Sequence, residues 1–458
     1  MSALDEDYPF PNPREIRAGL LPQLAAKPWL VPSSPSYYLS RCRVIDAAAG
    51  KLLDGEQTIH IRAGEFVQVS ATDGFRYEDE SAPRIDLGGR FVCPGLIDAH
   101  VHVTATPGGL TISDMVQTTE QLITLRATFV LKAMLSRGFT TVRDTGGATK
   151  FIATCLSENL IIGPRLFQCG KAISQTGGHG DFGSPALSGG DGVGCCGGHV
   201  QSLGRTADGV PMVLKATREE LKQGADFIKI MVGGGVASET DGIETVQYTA
   251  EEVQAVTTTA WQMGKKMVTA HAYTVEAIEH AISNGVRGIE HGNLLDEATA
   301  RMMAKKGIYL TPTLSCYGIM ARKPFEGFLP PDGQVKNRQV MKQGLQALKT
   351  AEEAGVTICY GSDLLISMHA LQTEEFTVRS KILSSAAILK HATVNPAKML
   401  NHAGRLGVIA AGAIADLIVL TSNPLDDITV LDQPETYLDA VVKEGRLMVG
   451  QLEGFPKA

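Results

Sequence analysis

His100 and His102 stand two residues apart at the end of a run with strand character, Phe91-Val-Cys-Pro-Gly-Leu-Ile-Asp-Ala-His-Val-His102. Alternate residues of a strand share a face, so both imidazoles can grip one metal ion. A His-x-His alone is weak evidence. It gains weight because four more ligand types each close a β-like run of their own: Lys229 in Asp-Phe-Ile-Lys-Ile, His271 in Met-Val-Thr-Ala-His, His291 in Gly-Ile-Glu-His-Gly and Asp363 in Thr-Ile-Cys-Tyr-Gly-Ser-Asp. Scattered core histidines would not fall this way. The chemistry such a set allows is metal-dependent hydrolysis. Two divalent ions about 3.5–4 Å apart acidify a shared water and polarise a scissile carbonyl.

Two cations that close need an anionic bridge, and a lysine is cationic. Burial disfavours the ammonium form, and a neutral amine can capture CO2 to become a carbamate, a carboxylate on a long arm. Phe227, Ile228, Ile230 and Met231 give Lys229 the apolar setting this requires. The simpler alternative is a lysine on an outer surface. In the metal reading His100, His102 and Asp363 hold the first ion, His271 and His291 the second, and Lys229 both. Asp363 is also the general base that takes the water's proton and then, as acid, hands it to the leaving amine. Its bland alternative is a helix N-cap.

The elements that must position these groups alternate. Strand candidates at 95–103, 139–144, 165–173, 226–232, 267–271, 288–291, 307–311 and 356–362 are separated by helical stretches that include 119–137, 216–224, 250–264, 274–285, 296–307 and 337–355, many followed by Gly. Eight β-then-α units predict a (β/α)8 TIM barrel, in which catalytic groups lie at the C-terminal ends of strands. Short β runs between residues 36 and 90 return after 404, at 412–420 and 439–449. They predict a small β-sandwich domain built from both chain ends. The expected division is 1–90 and 405–458 for the small domain, with an N-terminal extension, and 91–404 for the barrel.

Thr176-Gly-Gly-His-Gly-Asp opens a Gly-rich loop that runs to about residue 204, too long to be a mere connection. On the catalytic face it is expected to be a lid or substrate-contact loop. His179 is its best contact, while His199 reads as surface. His60 sits mid-strand and reads as structural. His280, His369, His391 and His402 lie in helical stretches or off the strand ends. Arg143-Asp-Thr-Gly-Gly147 ends the second strand, where it could shape a pocket or form a tight turn.

Composition excludes other classes. A formal charge of −7 without a long basic block leaves no footprint for nucleic acid. No apolar run approaches the length of a membrane span, and the first residues lack a basic-then-apolar leader. The eight cysteines form no Cys-x-x-Cys, and the adjacent Cys195-Cys196 would strain a disulfide ring, so buried free thiols and a cytoplasmic protein are expected. Secretion after removal of a leader would leave the same picture.

This set, with Thr393-Val-Asn-Pro-Ala397 and Gly412-Ala-Ile-Ala-Asp-Leu-Ile-Val-Leu420, resembles the binuclear, carboxylated-lysine subtype of the amidohydrolase superfamily from about residue 36 onward. It is most similar to the branch of metal-dependent carboxypeptidases, prolidase-like enzymes and fungal ochratoxinases, the last through Tyr8-Pro-Phe-Pro-Asn-Pro and the Gly-rich loop. The resemblance implies two zinc ions, a carbamate on Lys229, a homo-oligomer that is often an octamer, and cleavage of an amide to release a C-terminal amino acid. Hydrophobic or aromatic residues are the expected leaving group, with ochratoxin A, cut to phenylalanine and ochratoxin alpha, as one testable substrate. Tyr273 departs from a second His found after the strand-five ligand in some relatives. The substrate carboxylate needs a polar partner, for which His179 and Tyr248 are the candidates. A cyclic-amide hydrolase, a mononuclear deaminase and a metal-free assembly protein are the alternatives. Lys229 argues against the deaminase, and the complete ligand set against the assembly protein.

Overall fold

A computed structural model describes residues 26–31, 34–109, 111, 114, 118–181, 203–239, 241–450, 452 and 455. The N-terminal strands are β1 (Tyr37–Asp46), β2 (Lys51–Leu52), β3 (Gln57–Arg62), β4 (Glu65–Ala71), β5 (Arg84–Asp86) and β6 (Phe91–Pro94). Ten short strands follow: β7 (Leu96–Val101), β8 (Phe139–Asp144), β9 (Arg165–Gln168), β10 (Ala172–Ser174), β11 (Gly204–Thr206), β12 (Ile228–Met231), β13 (Val268–Thr274), β14 (Gly288–Leu294), β15 (Tyr309–Thr311) and β16 (Thr357–Ile358). The chain closes with β17 (Leu417–Leu420), β18 (Leu438–Lys443) and β19 (Arg446–Gly450).

Both chain ends meet in one nine-stranded sheet, ordered β19-β18-β17-β6-β1-β3-β4 with β2 and β5 beside β1. It is mixed rather than purely antiparallel, because β1 runs parallel to β5 and β6. β1 changes partner along its length. Residues 37–42 pair with β3 and residues 43–44 with β6, and the register breaks beside Arg41, whose φ is +52°.

The site-bearing strands form two parallel sheets, β7-β8-β9 and β11-β10-β12-β13-β14-β15-β16. Backbone hydrogen bonds link them. Ala99 N donates to Tyr360 O at 2.8 Å and Asp363 N to His100 O at 2.9 Å, while on the other side Asp226 N donates to Gln168 O at 2.8 Å. The molecule is thus an α/β protein with parallel sheets and an added β unit.

One strand predicted as continuous, 165–173, is broken. Gly170 takes φ +69°, and the Gln168 side chain turns back to accept from Gly170 N at 2.7 Å, replacing a ladder bond at the break. β9 and β10 therefore belong to different sheets. β11, at the end of the Gly-rich stretch, was not predicted; Gly-Arg-Thr offers no apolar alternation to reveal it.

Alternation sorts the side chains. Ile228, Ile230, Val268, Ala270, Ala272 and Ile289 pack outward against Val253, Val256, Ile278 and Ala281 of the helices Ala250–Gln262 and Val275–Ser283. Each fully buried Ile or Val contributes about 1.5–3 kcal/mol. The intervening residues Lys229, Thr269, His271 and Glu290 share the opposite parity, and all are buried. Caps fix where the helices start and stop. Thr249 and Glu252 form a reciprocal capping box, and Gly307 ends the helix Glu297–Lys306 at φ +63°. Among the described residues no helix is long and apolar enough to cross a membrane.

Candidate metal centre

Asp363 is the hub. Its Oδ1 lies 3.3 Å from His100 Nε2 and 3.2 Å from His102 Nε2, and its Oδ2 lies 4.0 Å from His291 Nδ1. Ligand atoms of His100, His291 and Asp363 all fall within 4.8 Å of one another. That triplet crosses the expected division between two ions, since His291 was assigned to the other one. His271 adjoins it, with its ring centroid 4.5 Å from that of His291. Lys229 is 2% exposed and interacts electrostatically with Asp363, Glu290, His271 and His291. Two nitrogen-bearing imidazoles beside a carboxylate, with more imidazoles and a buried amine adjoining, form a donor set that suits zinc.

Partners behind the rings fix which nitrogen each presents. His100 Nδ1 faces Glu290 Oε2 at 2.8 Å, and His102 Nδ1 donates to Gly146 O at 2.9 Å, so Nε2 of both rings is turned toward Asp363. Glu290 is itself held by Arg143 Nη1 at 2.9 Å and by the Thr269 hydroxyl. Arg143 is fully buried, spans from Ala99 O to Glu290, and lies 4.1 Å over the Phe227 ring. Its Nε and Nη2 have no hydrogen-bond partner among the described residues.

His291 and Asp363 both adopt left-handed backbone, at φ +73° and +51°. Strict alternation would send His291 to the face opposite Glu290. The positive φ lets neighbouring residues both reach the centre. Such strain persists only where the surroundings over-determine it, as they do at functional sites. Asp98 supplies part of that constraint, because its buried carboxyl accepts from Ser362 N, the Ser362 hydroxyl, His100 N and Gln372 Nε2.

The charges follow from burial and neighbours. Burial lowers the pKa of Lys229 and Arg143 adds to the effect, against opposition from Glu290 and Asp363. His271 and His291 are pushed well below the usual imidazole range, mainly by burial, which keeps their lone pairs available. Burial alone would raise Asp363, yet His100, His102 and His291 hold it well below the usual carboxylate range. Glu290 is held low against burial by Arg143, Lys229 and His100.

The centre opens into a cavity of about 80 Å³. His102, His179, His271, Tyr273, His291, Tyr317 and Asp363 form its polar side, and Met231, Val236, Ala237, Met320 and Leu365 its apolar side. His179 lines the cavity, stacked on His271 with centroids 4.1 Å apart. Tyr248 does not. Its hydroxyl donates to Ala207 O at 2.8 Å, and its ring belongs to the apolar core outside the cavity lining, so it is dropped as a substrate contact. Accordingly Tyr248→Phe should cost about 1 kcal/mol in urea denaturation, the worth of one hydrogen bond, and leave substrate preference alone. A changed preference would restore Tyr248 to the site. Cys195, Cys196 and His199 lie outside the described residues. His60, His280, His369, His391 and His402 all sit outside the cavity lining.

Sequence reasoning passed over Glu290, which shares a motif with His291, and Tyr317, whose hydroxyl lies 2.9 Å from that of Tyr273. It also passed over Ser238 and Asp241 behind His179. Parity with Lys229 and His271 was a usable signal for Glu290. No local pattern marks the others.

Comparison with known proteins bears on this geometry. The profile of the amidohydrolase family matches residues 91–448. Ochratoxinase from Aspergillus niger is 32% identical over 324 residues, which are 69% of this chain and 66% of that protein, so the match spans just under two thirds of that relative. Its crystal structure has a TM-score of 0.80 at 26% identity, covering 92% of this chain and 97% of that one. A prolidase complexed with N-methylphosphonate-L-proline is 41% identical with a TM-score of 0.85, covering 91% of this chain and all of that one. A Xaa-Pro dipeptidase with methionine bound in its active site is 30% identical with a TM-score of 0.79, covering 90% and 99%.

Proposed function

The chain belongs to the amidohydrolase family, and from that premise we propose that it is a binuclear zinc hydrolase that cuts an amide bond and releases a C-terminal amino acid. The observation that carries this reading is the convergence of His100, His102 and His291 on Asp363 beside a buried Lys229. When bound, the ions supply an acidified water and polarise the carbonyl. His100, His102, Lys229, His271, His291 and Asp363 would hold them. Arg143 and Lys229 repel as two cations, and a carbamate on Lys229 turns that repulsion into attraction.

Asp363 accepts the proton of the attacking water and returns it to the leaving nitrogen. The apolar side of the cavity receives the amino-acid side chain, and His179 meets its free carboxylate. Phenylalanine is the proposed leaving group, with ochratoxin A as a substrate on the strength of the similarity to ochratoxinase. We further read the two linked parallel sheets as one (β/α)8 barrel within 91–404, and the nine-stranded sheet as a β-sandwich domain from 1–90, after an N-terminal extension, and 405–458, joined across the boundary by β6 at Phe91–Pro94. The six described cysteines are all free, which supports a cytoplasmic setting. Exposed Leu125, Phe129 and Phe151, on neighbouring helices, support a homo-oligomer, proposed as an octamer.

One preparation tests the reading. Metal analysis should return two zinc ions per chain, light scattering an octamer, and chelation should abolish hydrolysis until zinc is restored. A panel of N-acyl amino acids and dipeptides, with ochratoxin A included, should show turnover that depends on a free C-terminal carboxylate. Equal turnover of free and amidated substrates would redirect the reading to a cyclic-amide hydrolase, and a single ion per chain to a deaminase.

A further inference from the structure

We propose that Lys336 and Asn337, neighbours on the helix Pro331–Glu353, are specificity-determining residues: they fasten together two of the segments that line the cavity and so set which amino-acid side chains it admits. This rests on the proposed reading of the apolar side as the receptor of the leaving amino acid's side chain. Neither residue lines the cavity itself, so both act as positioning residues.

The two segments come from distant parts of the chain. Val236 and Ala237 follow β12, while Tyr317 and Met320 stand on the helix Ser315–Met320 after β15. Lys336 holds the first. Its Nζ donates to Ser238 O at 2.8 Å and to Asp241 O at 2.6 Å, and faces Asp332 Oδ2 of its own helix at 3.4 Å, so each of the three ammonium hydrogens has an acceptor. Asn337 holds the second, donating from Nδ2 to Tyr317 O at 2.9 Å. The lysine's two bonds and the amide's one all end on backbone carbonyls, so they fix the path of the chain rather than the rotamer of one side chain.

The helix face that carries these bonds is built for close approach. Gly333, Lys336, Asn337 and Val340 are spaced i, i+3, i+4 and i+7, which places them on one side of the helix. A Cβ at Gly333 would stand 2.9 Å from Val236 O, so the helix packs against the first segment more closely than a side chain there would permit. Val340 is fully buried in the same apolar cluster as Val236, Tyr317 and Met320. Asn337 is 2% exposed and the side chain of Lys336 14%, so water competes little for their bonds. Released from the helix, the two segments would be held to each other through apolar side chains alone, and the unbranched Met320 repacks readily. The cavity would then lose its fixed outline while the metal ligands, which stand on other elements, keep theirs.

The test compares N-acetyl-L-phenylalanine with N-acetyl-L-alanine on the zinc-loaded enzyme. The two share their carboxylate and their scissile bond, so a disturbance of the metal centre, or of His179 through Ser238, cancels in the ratio of their kcat/KM values. Lys336→Met and Asn337→Leu should each lower the phenylalanine-to-alanine ratio by about fivefold or more, with most of the loss in KM for the phenylalanine substrate. Lys336→Arg, which keeps a cationic donor, should hold the ratio near that of the unmodified enzyme. If Asn337→Leu does not fold, Lys336→Met decides, since its side chain is the less buried of the two. Should the unmodified enzyme hydrolyse neither substrate, or both alike, the reading of the apolar side as side-chain receptor fails and the fastening with it. Should it prefer phenylalanine while Lys336→Met and Asn337→Leu keep that preference, the fastening is wrong and the receptor stands. Equal slowing of both substrates would also overturn the fastening, as it would mark a structural role only.

Discussion

If the proposed metal pair bridged by Lys229 holds, Lys229→Ala should strip metal and activity together, with turnover falling by a factor of about 10³ or more, because the several kcal/mol of charge stabilisation from such a pair would go with the bridge. Lys229 lies in β12 among Ile228, Ile230 and Met231, and burial already disfavours its ammonium form. On the proposed reading, an amine that burial pushes toward its neutral form, among histidines that keep their lone pairs, can take up CO2 as a carbamate. An ammonium at that point would instead repel both ions. Lys229→Met is the companion variant: it keeps roughly the volume and removes the reactive amine, so it should fold as well as the unmodified protein while losing metal equally. Short carboxylic acids should partly restore metal and activity in Lys229→Ala by occupying the vacated arm. Metal analysis on the same samples separates the outcomes. Two ions and full turnover in Lys229→Ala would end the carbamate idea.

How much of this centre could be read from sequence depends on which rule places each residue. His100, His102, Lys229 and His271 obey strand alternation, and their spacing from the strand ends is local information. His291 and Asp363 were recognisable by type but not by geometry. Each reaches the centre through a left-handed backbone that alternation does not anticipate. That explains why Glu290, one residue before His291, was overlooked although it orients His100 from below. Ser238 and Asp241 were illegible for another reason. Ser238 meets His179, which lies 59 residues away along the chain, and Asp241 meets Ser238, and loop residues carry no period that would announce such a meeting. Tyr248 shows the reverse error. A tyrosine placed on a loop after a strand looked like a substrate contact, but a bond to Ala207 O and an apolar setting fix it as a packing residue.

The fold divides along the same line. The alternation of strands with helices and the return of β runs after residue 404 were legible because they rest on hydrophobic periodicity. The break at Gly170 was not, because it depends on the Gln168 side chain replacing a backbone partner. What local pattern misses is supplied by the clamps around the strained residues. Asp98 ties Ser362 to the strand that carries His100, and Thr313 holds His291 through a 2.7 Å contact at Nδ1. The centre is rigid where its backbone is least favourable, which is the condition for ligands that must meet metal ions with little reorganisation.

That rigidity makes Asp363→Asn a clean probe of proton transfer. At φ +51° a substitution by Ala would add backbone strain to any chemical loss, whereas Asn tolerates left-handed backbone as readily as Asp does. Asn also keeps an oxygen in the ligand position and leaves the backbone bond from residue 363 N to His100 O intact. What it removes is the anion that three histidines now hold well below the usual carboxylate range. Turnover should therefore fall by about 10²-fold or more, the contribution of a positioned general base, while metal content falls much less. The two losses part because a neutral amide oxygen can still coordinate but cannot take a proton from the attacking water. Single-turnover kinetics on zinc-loaded protein measures the first quantity and elemental analysis the second. If the Asn variant turns over at an undiminished rate with both ions in place, the base must be sought among the other polar groups of the cavity, with His179 the first to test.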